Sequence, residues 1–142
     1  MKKQQSKQYD YRVKPHVRHY IIDELRLYDQ TKKHIEFMRD NIILGGSSEL
    51  RDMSIIHEKT DSTGAKVEKL LTTSVLYRMQ LTVSAVDRAL ERYPECVSVF
   101  ELHFRRNLPW YRVTMDVPMS KREFYGLRNK LIYVVAADLG MG

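Results

Sequence analysis

The sequence predicts an all-α protein with an N-terminal helix or helix pair, a long central helix and a C-terminal helix-turn-helix. Two observations carry this prediction. Apolar residues recur every three or four positions over 17–44 and again over 65–92, as they do on one face of an amphipathic helix. Further along the chain, Pro94, Pro109 and Pro118 divide the C-terminal part into three short segments.

Composition restricts the class of protein and of partner. The chain has 142 residues, of which 43% are hydrophobic, enough to bury a core. Its net charge of +6 favours a polyanionic partner, either a nucleic acid or an anionic membrane surface. Cys96 is the single cysteine and the five histidines are scattered, so we expect neither a disulfide nor a metal site. We also expect no cofactor, and Cys96 should pack as a small hydrophobic residue.

The sequence contains no segment that predicts a membrane location. No apolar stretch approaches the roughly 20 residues that a membrane-spanning helix needs. The basic residues of Met1 to Gln8 are not followed by an apolar run, so they do not form a signal peptide. We therefore expect a cytoplasmic protein that has no membrane partner.

Changes in residue pattern divide the chain into five parts. Glycine and serine cluster in the third part, and the central helix carries an apolar stripe wide enough to form a seam with a second copy of the chain. The parts are a flexible basic arm over 1–15, an N-terminal helical segment over 16–44, a linker over 45–64, the central helix over 65–93 and a helix-turn-helix domain over 94–142.

Two short helices are expected before the last one. The first covers about 95–105, and Asn107 follows it as a residue that tolerates the turn. The second begins near Leu108-Pro109 and has room for only about two turns before Pro118. The side chains of this second helix that we expect to face inward are Trp110, Val113 and Met115.

The last helix has clear signals at both ends. Ser120 stands at an N-cap position with Glu123 three residues later, which is a capping box. The helix should run to about Leu139, where Gly140 is suited to the C-terminal cap. Its expected apolar face consists of Phe124, Leu127, Leu131, Val134 and Val135.

The residues around the start of this helix have the chemistry that DNA recognition requires. Arginine and lysine donate to guanine, asparagine pairs with adenine, and a helix N-terminus offers unpaired N–H groups to a phosphate. Between Arg105 and Lys130 there are seven basic and two acidic residues, so this segment carries +5 of the net charge. The candidate DNA-binding residues are Arg105, Arg106, Arg112, Ser120, Lys121, Arg122, Tyr125, Arg128, Asn129 and Lys130.

Two family resemblances accompany this pattern. The segment from Val99 to Leu131 resembles region 4 of bacterial sigma factors, although Tyr111-Arg112-Val113-Thr114 replaces the usual acidic-apolar-alanine triplet. Over about 17–139 the layout resembles the small phage late-gene transcriptional activators of the RinA/ArpU type. The resemblance implies a sequence-specific transcriptional activator of phage late packaging genes. Such a protein would bind double-stranded DNA and host RNA polymerase in the host cell cytoplasm.

The alternatives to a transcriptional activator are an enzyme and two non-catalytic functions. An enzyme is not expected, because the glycine-rich Gly45-Gly46-Ser47-Ser48 lacks the Lys-Ser/Thr of a phosphate-binding loop and no catalytic set is recognisable. Two non-catalytic alternatives stay open. One is the DNA-recognition subunit of a phage packaging terminase, although in such proteins the DNA-binding unit usually comes first. The other is a protein-interaction module whose basic face meets an acidic protein.

Overall fold

The structure is a computed structural model and describes residues 11–41 and 62–142, with side chains described from 72 onward in the second range. These residues form helices and no strand, which confirms the all-α class. None of the described helices is both long enough and apolar enough to cross a bilayer. The helices are α1 (Pro15–Arg26), α2 (28–41), α3 (Ser62–Arg92), α4 (94–105), α5 (Trp110–Asp116) and α6 (Lys121–Asp138).

The N-terminal part contains two helices, which was one of the two predicted alternatives. They are divided at Leu27, which forms a turn between them. The central helix α3 begins at Ser62, three residues before the predicted start at 65. Residues 1–10 of the predicted arm and 45–61 of the predicted linker lie outside the described residues.

The contacts within the chain define two compact units. The first unit consists of α1, residues 85–92 of α3, and α4 to α6; the second unit consists of residues 27–84. In the first unit α1 packs against both α4 and α6. The sequence pattern did not predict this packing, because it treated the N-terminal helices as a separate segment.

The core of the first unit is built by helices that each bury one apolar face. In α1, Val17, Ile21 and Leu25 follow one another at steps of four and are all buried. Burying a side chain of this size stabilises the fold by about 1.5–3 kcal/mol. The partners in the core are Ala85, Val86, Ala89, Cys96, Val99, Phe100, Phe104, Val113, Phe124, Leu131, Ile132, Val135 and Ala136.

Cys96 belongs to this core, as predicted. Its side chain is buried and its Sγ lies 3.8 Å from the carbonyl oxygen of Leu127. Burial raises the pKa of the Cys96 thiol to about 11. The thiol is therefore protonated at neutral pH and packs as a small hydrophobic group.

The helix α4 changes type along its length. It starts with a 3-10 turn at Pro94–Cys96, continues as a single α turn at Val97–Val99 and ends as a π-helix at Phe100–Arg105. Asn107 then adopts a left-handed conformation with φ of 56°, which fits its predicted place after this helix.

The short helix α5 buries less than the sequence predicted. Pro109 is its N-cap residue, and Val113 is fully buried. Met115, expected to face inward, is 74% exposed, so that prediction is wrong. A helix turns by about 100° per residue, which places residue 115 about 200° from Val113 and therefore on the solvent side. Trp110 is half-buried.

The ends of α6 are capped by the predicted residues, Ser120 and Gly140, although only the Ser120 half of the capping box is formed. The Ser120 hydroxyl oxygen accepts a hydrogen bond from the Glu123 backbone N–H at 3.1 Å. At the other end Gly140 has φ of 74°, and its N–H donates to the carbonyl of Ala137 at 3.0 Å. The next N–H, that of Met141, donates to the carbonyl of Ala136 at 2.8 Å, which completes a Schellman motif.

The second unit brings α2 and part of α3 together. Ile35 of α2 and Thr82 of α3 are buried, and the Thr82 hydroxyl donates to the carbonyl of Arg78 at 3.0 Å. The two helices line a groove between Ile35 and Arg39 on one side and Val83 on the other.

Alanine in place of Gly126, inside α6, and in place of Gly140, at its C-terminal cap, should change the free energy of unfolding in opposite directions. We expect Gly140→Ala to lower the free energy of unfolding by about 1–2 kcal/mol, because alanine is strained at a left-handed φ. We expect Gly126→Ala to raise it by about 1 kcal/mol, because Gly126 is inside the helix and an added Cβ meets nothing within 4 Å. Urea unfolding of both variants measures this, and changes of the same sign would contradict it.

Candidate nucleic-acid interface

The helices α5 and α6 are joined by a short connection. Residues 117–120 separate Asp116 at the end of α5 from Lys121 at the start of α6, and the two helices pack against each other. A connection of this length is typical of helix-turn-helix motifs. Ser120 ends the connection as the N-cap residue, so the first backbone N–H groups of α6 lie at an exposed helix start.

One face of α6 remains largely uncovered. We call it the α6 stripe, and it contains no carboxylate. Each member lies three or four positions from another member, and all are exposed except for a half-buried Asn129. They are Arg122, Tyr125, Gly126, Asn129 and Tyr133.

Two members of the stripe have no packing partner among the described residues. Arg122 makes no hydrogen bond or ion pair with any other described residue, so its five N–H donors face solvent. At Gly126 an added Cβ would meet no atom within 4 Å, so no neighbour in the first unit excludes a side chain there. The missing side chain leaves the backbone of α6 open to close approach by another molecule.

Lys121 lies beside the stripe at the start of α6. Its Nζ is 4.6 Å from the centroid of the Trp110 ring, which is a cation–π contact with α5. This contact positions a positive charge at the junction of the two helices. Trp110 thus contributes to the interface through Lys121, which the sequence pattern did not indicate.

Arg128 is half-buried, although the pattern placed it on or near the exposed side of α6. Its Nε donates to His103 Nε2 at 3.1 Å, and its guanidinium carbon lies 5.8 Å from the centroid of the Phe104 ring. His103 Nδ1 lies 2.8 Å from the carbonyl oxygen of Leu108. A carbonyl only accepts, so we assign the ring proton to Nδ1, which leaves Nε2 as the acceptor for Arg128.

The surroundings of His103 keep its ring neutral. Burial lowers the pKa of His103, and the positive charges of Arg128 and Arg26 lower it further, against the opposing effect of the Leu108 carbonyl. The rings of Phe104 and Phe124 stand edge-on to the imidazole at 4.9 and 5.0 Å. A proton on Nε2 would remove the acceptor of the Arg128 bond.

Two further candidate residues, Asn129 and Lys130, make polar contacts with other helices. Asn129 Oδ1 accepts from Arg18 Nη2 at 2.9 Å. Lys130 Nζ lies 2.6 Å from Glu95 Oε1 and 4.3 Å from the centroid of the Tyr93 ring. The contact with Arg18 engages Asn129 within the stripe, and the contact with Glu95 engages Lys130 outside it.

The arginines that precede α6 are exposed. Arg105 forms an ion pair with Glu101 at 2.8 Å, one turn earlier in α4. Arg106 and Arg112 are exposed at the end of α4 and on α5. A role of the ten candidate residues in DNA binding stays a prediction.

The sequence pattern missed the contribution of the N-terminal residues. The ring of Tyr11 is 5.4 Å from that of Tyr133, and Arg18 contacts Asn129. The helix α1 therefore runs antiparallel to α6 along one border of the stripe. The amphipathic pattern of α1 indicates which of its faces is buried, but it does not indicate which helix covers that face.

Comparisons with protein-family models, with curated proteins and with solved structures each found no match. The resemblance to sigma factor region 4 and to RinA/ArpU-type activators therefore rests on the residues of this chain alone. In the described part of the chain, no group of three or more His, Cys, Asp or Glu side chains is arranged to hold a metal ion.

The contacts of His103 predict a pH-dependent stability. Because the folded state lowers the pKa of His103 below its ordinary value of 6.5, the unfolded state takes up the proton first. The stability contributed by the neutral ring is therefore present above pH 6.5 and is lost as the pH falls below it. We expect urea unfolding to show a larger loss of stability between pH 7.5 and 5.5 in the wild type than in His103→Gln. An equal loss in both proteins would contradict the assignment.

Proposed function

We propose that this protein binds double-stranded DNA, with α6 as the recognition helix of a helix-turn-helix formed with α5. The α6 stripe is the observation that carries the proposal, because its exposed surface is cationic and aromatic and lacks carboxylates. Gly126 lies in the middle of the stripe, where the backbone is open to a base edge or a sugar. An α-helix with such a face fits the major groove.

The chemistry of the exposed residues supports this proposal. Arg122 has the donors for bidentate contact with guanine O6 and N7, and Tyr125 is suited to a thymine methyl group or a phosphate. The Lys121 ammonium and the free N–H groups after Ser120 suit a phosphate at the helix start. Phosphate contacts position the protein, whereas base contacts specify the sequence.

The finer proposal is a sequence-specific transcriptional regulator, an activator of phage late packaging genes, and it rests on the RinA/ArpU resemblance. An activator needs a contact with host RNA polymerase. The exposed Tyr111 and Met115 on α5 are the side chains that we assign to this contact. The proposal includes no catalytic activity and no cofactor.

Arg122 tests the assignment of the recognition helix. We expect Arg122→Ala to weaken binding to a specific duplex by about 1–3 kcal/mol and to relax the preference at one base position. We expect Lys130→Ala to weaken binding to all sequences alike. Selection of bound duplexes from a random pool, followed by anisotropy titration, measures both effects. Unchanged affinity and unchanged base preference in Arg122→Ala would exclude α6 as the recognition helix.

A second copy of the chain is the other protein partner that we propose. On α3, Tyr77 is 61% and Leu81 is 40% exposed, one turn apart on the same side of the helix. We assign these side chains to a dimer seam, since many helix-turn-helix proteins bind paired half-sites as dimers. We expect sedimentation velocity at micromolar concentration to show a dimer that Tyr77→Ser with Leu81→Ser dissociates. A strictly monomeric wild type would contradict the seam.

A further inference from the structure

Two half-buried arginines lie at the border between α1 and α6. Arg18 of α1 and Arg128 of α6 are separated by most of the chain, but Arg18 Nη2 donates to Asn129, the residue after Arg128, at 2.9 Å. The charge of Arg18 is one of the causes that lower the pKa of Arg128. Arg26, at the end of α1, adds a third positive charge to the same region. We call Arg18 and Arg128 the arginine pair.

The arginine pair has no acidic partner. Among the described residues, no carboxylate forms an ion pair with Arg18, Arg26 or Arg128. The two acidic residues of α1 are Asp23 and Glu24. With a turn of about 100° per residue, they lie about 140° and about 120° away from Arg18, whereas Asp23 lies only about 60° from Arg26, so Arg26 has an acidic neighbour on α1 and Arg18 has none.

Each arginine of the pair is held by a neutral acceptor. Arg18 donates one Nη2 hydrogen bond to Asn129 Oδ1, and Arg128 donates its Nε hydrogen to His103 Nε2. A guanidinium has five N–H donors, so each side chain keeps most of its donors for a further acceptor. The anchoring bonds fix the direction of these donors before any ligand binds.

The surroundings of Arg128 disfavour its charged form. Desolvation and repulsion from Arg18 and Arg26 lower the pKa of Arg128, because its charge is partly removed from water among like charges. Uncompensated like charges of this kind are expected where a ligand supplies the opposite charge. An anion held by both guanidinium groups would relieve the repulsion.

We propose that Arg18 and Arg128 bind a backbone phosphate of the DNA, so that α1 forms part of the DNA-binding surface. This inference rests on the proposed function of α6. Guanidinium groups match the oxygens of a phosphate in a bidentate manner. Asn129 belongs to the α6 stripe and also holds Arg18, so the phosphate site lies directly beside the surface that faces the bases.

The variant Arg18→Gln removes the positive charge and keeps a polar side chain. The amide of glutamine ends two bonds short of the position of Nη2, so the hydrogen bond to Asn129 is lost together with the charge. We expect weaker binding to a random-sequence duplex, with the slope of log K against log salt smaller by about 0.9, the value for one lost phosphate contact. The melting temperature should change little, because the loss of the Asn129 hydrogen bond is offset by the relief of a like-charge repulsion.

The matched control is Arg88→Gln, which removes the same charge from the first unit. Arg88 pairs with Asp138 at 2.9 Å near the C-terminal end of α6, away from the arginine pair. We expect the salt slope of Arg88→Gln to equal that of the wild type.

A second measurement compares the melting temperature in inorganic phosphate with that in chloride at equal ionic strength. Phosphate should raise the melting temperature of the wild type and of Arg88→Gln more than that of Arg18→Gln.

The outcomes distinguish this inference from the proposed function. If the wild type binds DNA and Arg122→Ala weakens it, but Arg18→Gln keeps the wild-type salt slope, the α1 phosphate site is overturned and DNA binding by α6 stands. If the wild type binds no duplex, the phosphate that the arginine pair binds does not come from DNA. In that case, a rise in melting temperature with inorganic phosphate that is lost in Arg18→Gln supports a site for free phosphate. If phosphate does not raise the melting temperature of the wild type, the arginine pair is not a phosphate site.

Discussion

The burial of one face of α6 by three other helices is the constraint on which the first unit depends. Phe124 and Val135 are fully buried along this face, and α1, α4 and α5 all contact the helix. A helix surrounded on that side has only its opposite face left for solvent. The exposed stripe with Arg122 and Gly126 is therefore a consequence of how the apolar residues of α6 are spaced.

Two hydrogen bonds join polar groups at the edge of this apolar packing. The carbonyl of Leu108, the ring of His103 and the guanidinium of Arg128 are joined by two hydrogen bonds that link the end of α4 to α6. Two aromatic rings pack edge-on against the half-buried imidazole, which lowers the local polarity and strengthens the two hydrogen bonds. The same bond that stabilises the packing also fixes the direction of Arg128.

Local signals in the sequence predicted the parts of the fold that depend on neighbouring residues. The cap at Ser120, the left-handed turn at Asn107 and the Schellman motif at Gly140 each use groups within a few positions of one another. The inward position of Met115 was wrong, because in a helix of two turns the apolar pattern is too short to define the buried face.

The parts that could not be predicted depend on contacts between distant residues. Arg18 and Asn129 are 111 positions apart, and no periodicity links them. Likewise His103 belongs to no recognisable motif, and its partner Arg128 follows only from the packing of α4 against α6. The net charge of a sequence segment can be counted directly. The charge at one surface of the fold depends, however, on which helices pack together there.

The packing of the helices also decides which positive charges stand beside the α6 stripe. The segment from Arg105 to Lys130 carries a charge of +5, but Arg105 and Lys130 are paired with glutamates and Arg128 is half-buried. Arg18, outside that segment, adds charge at the border of the α6 stripe because α1 packs there. Close positive charges repel, and they are favourable together only when a polyanion neutralises them. The packing of α1 on α6 thus concentrates charge beside the exposed face of the helix that we propose reads DNA.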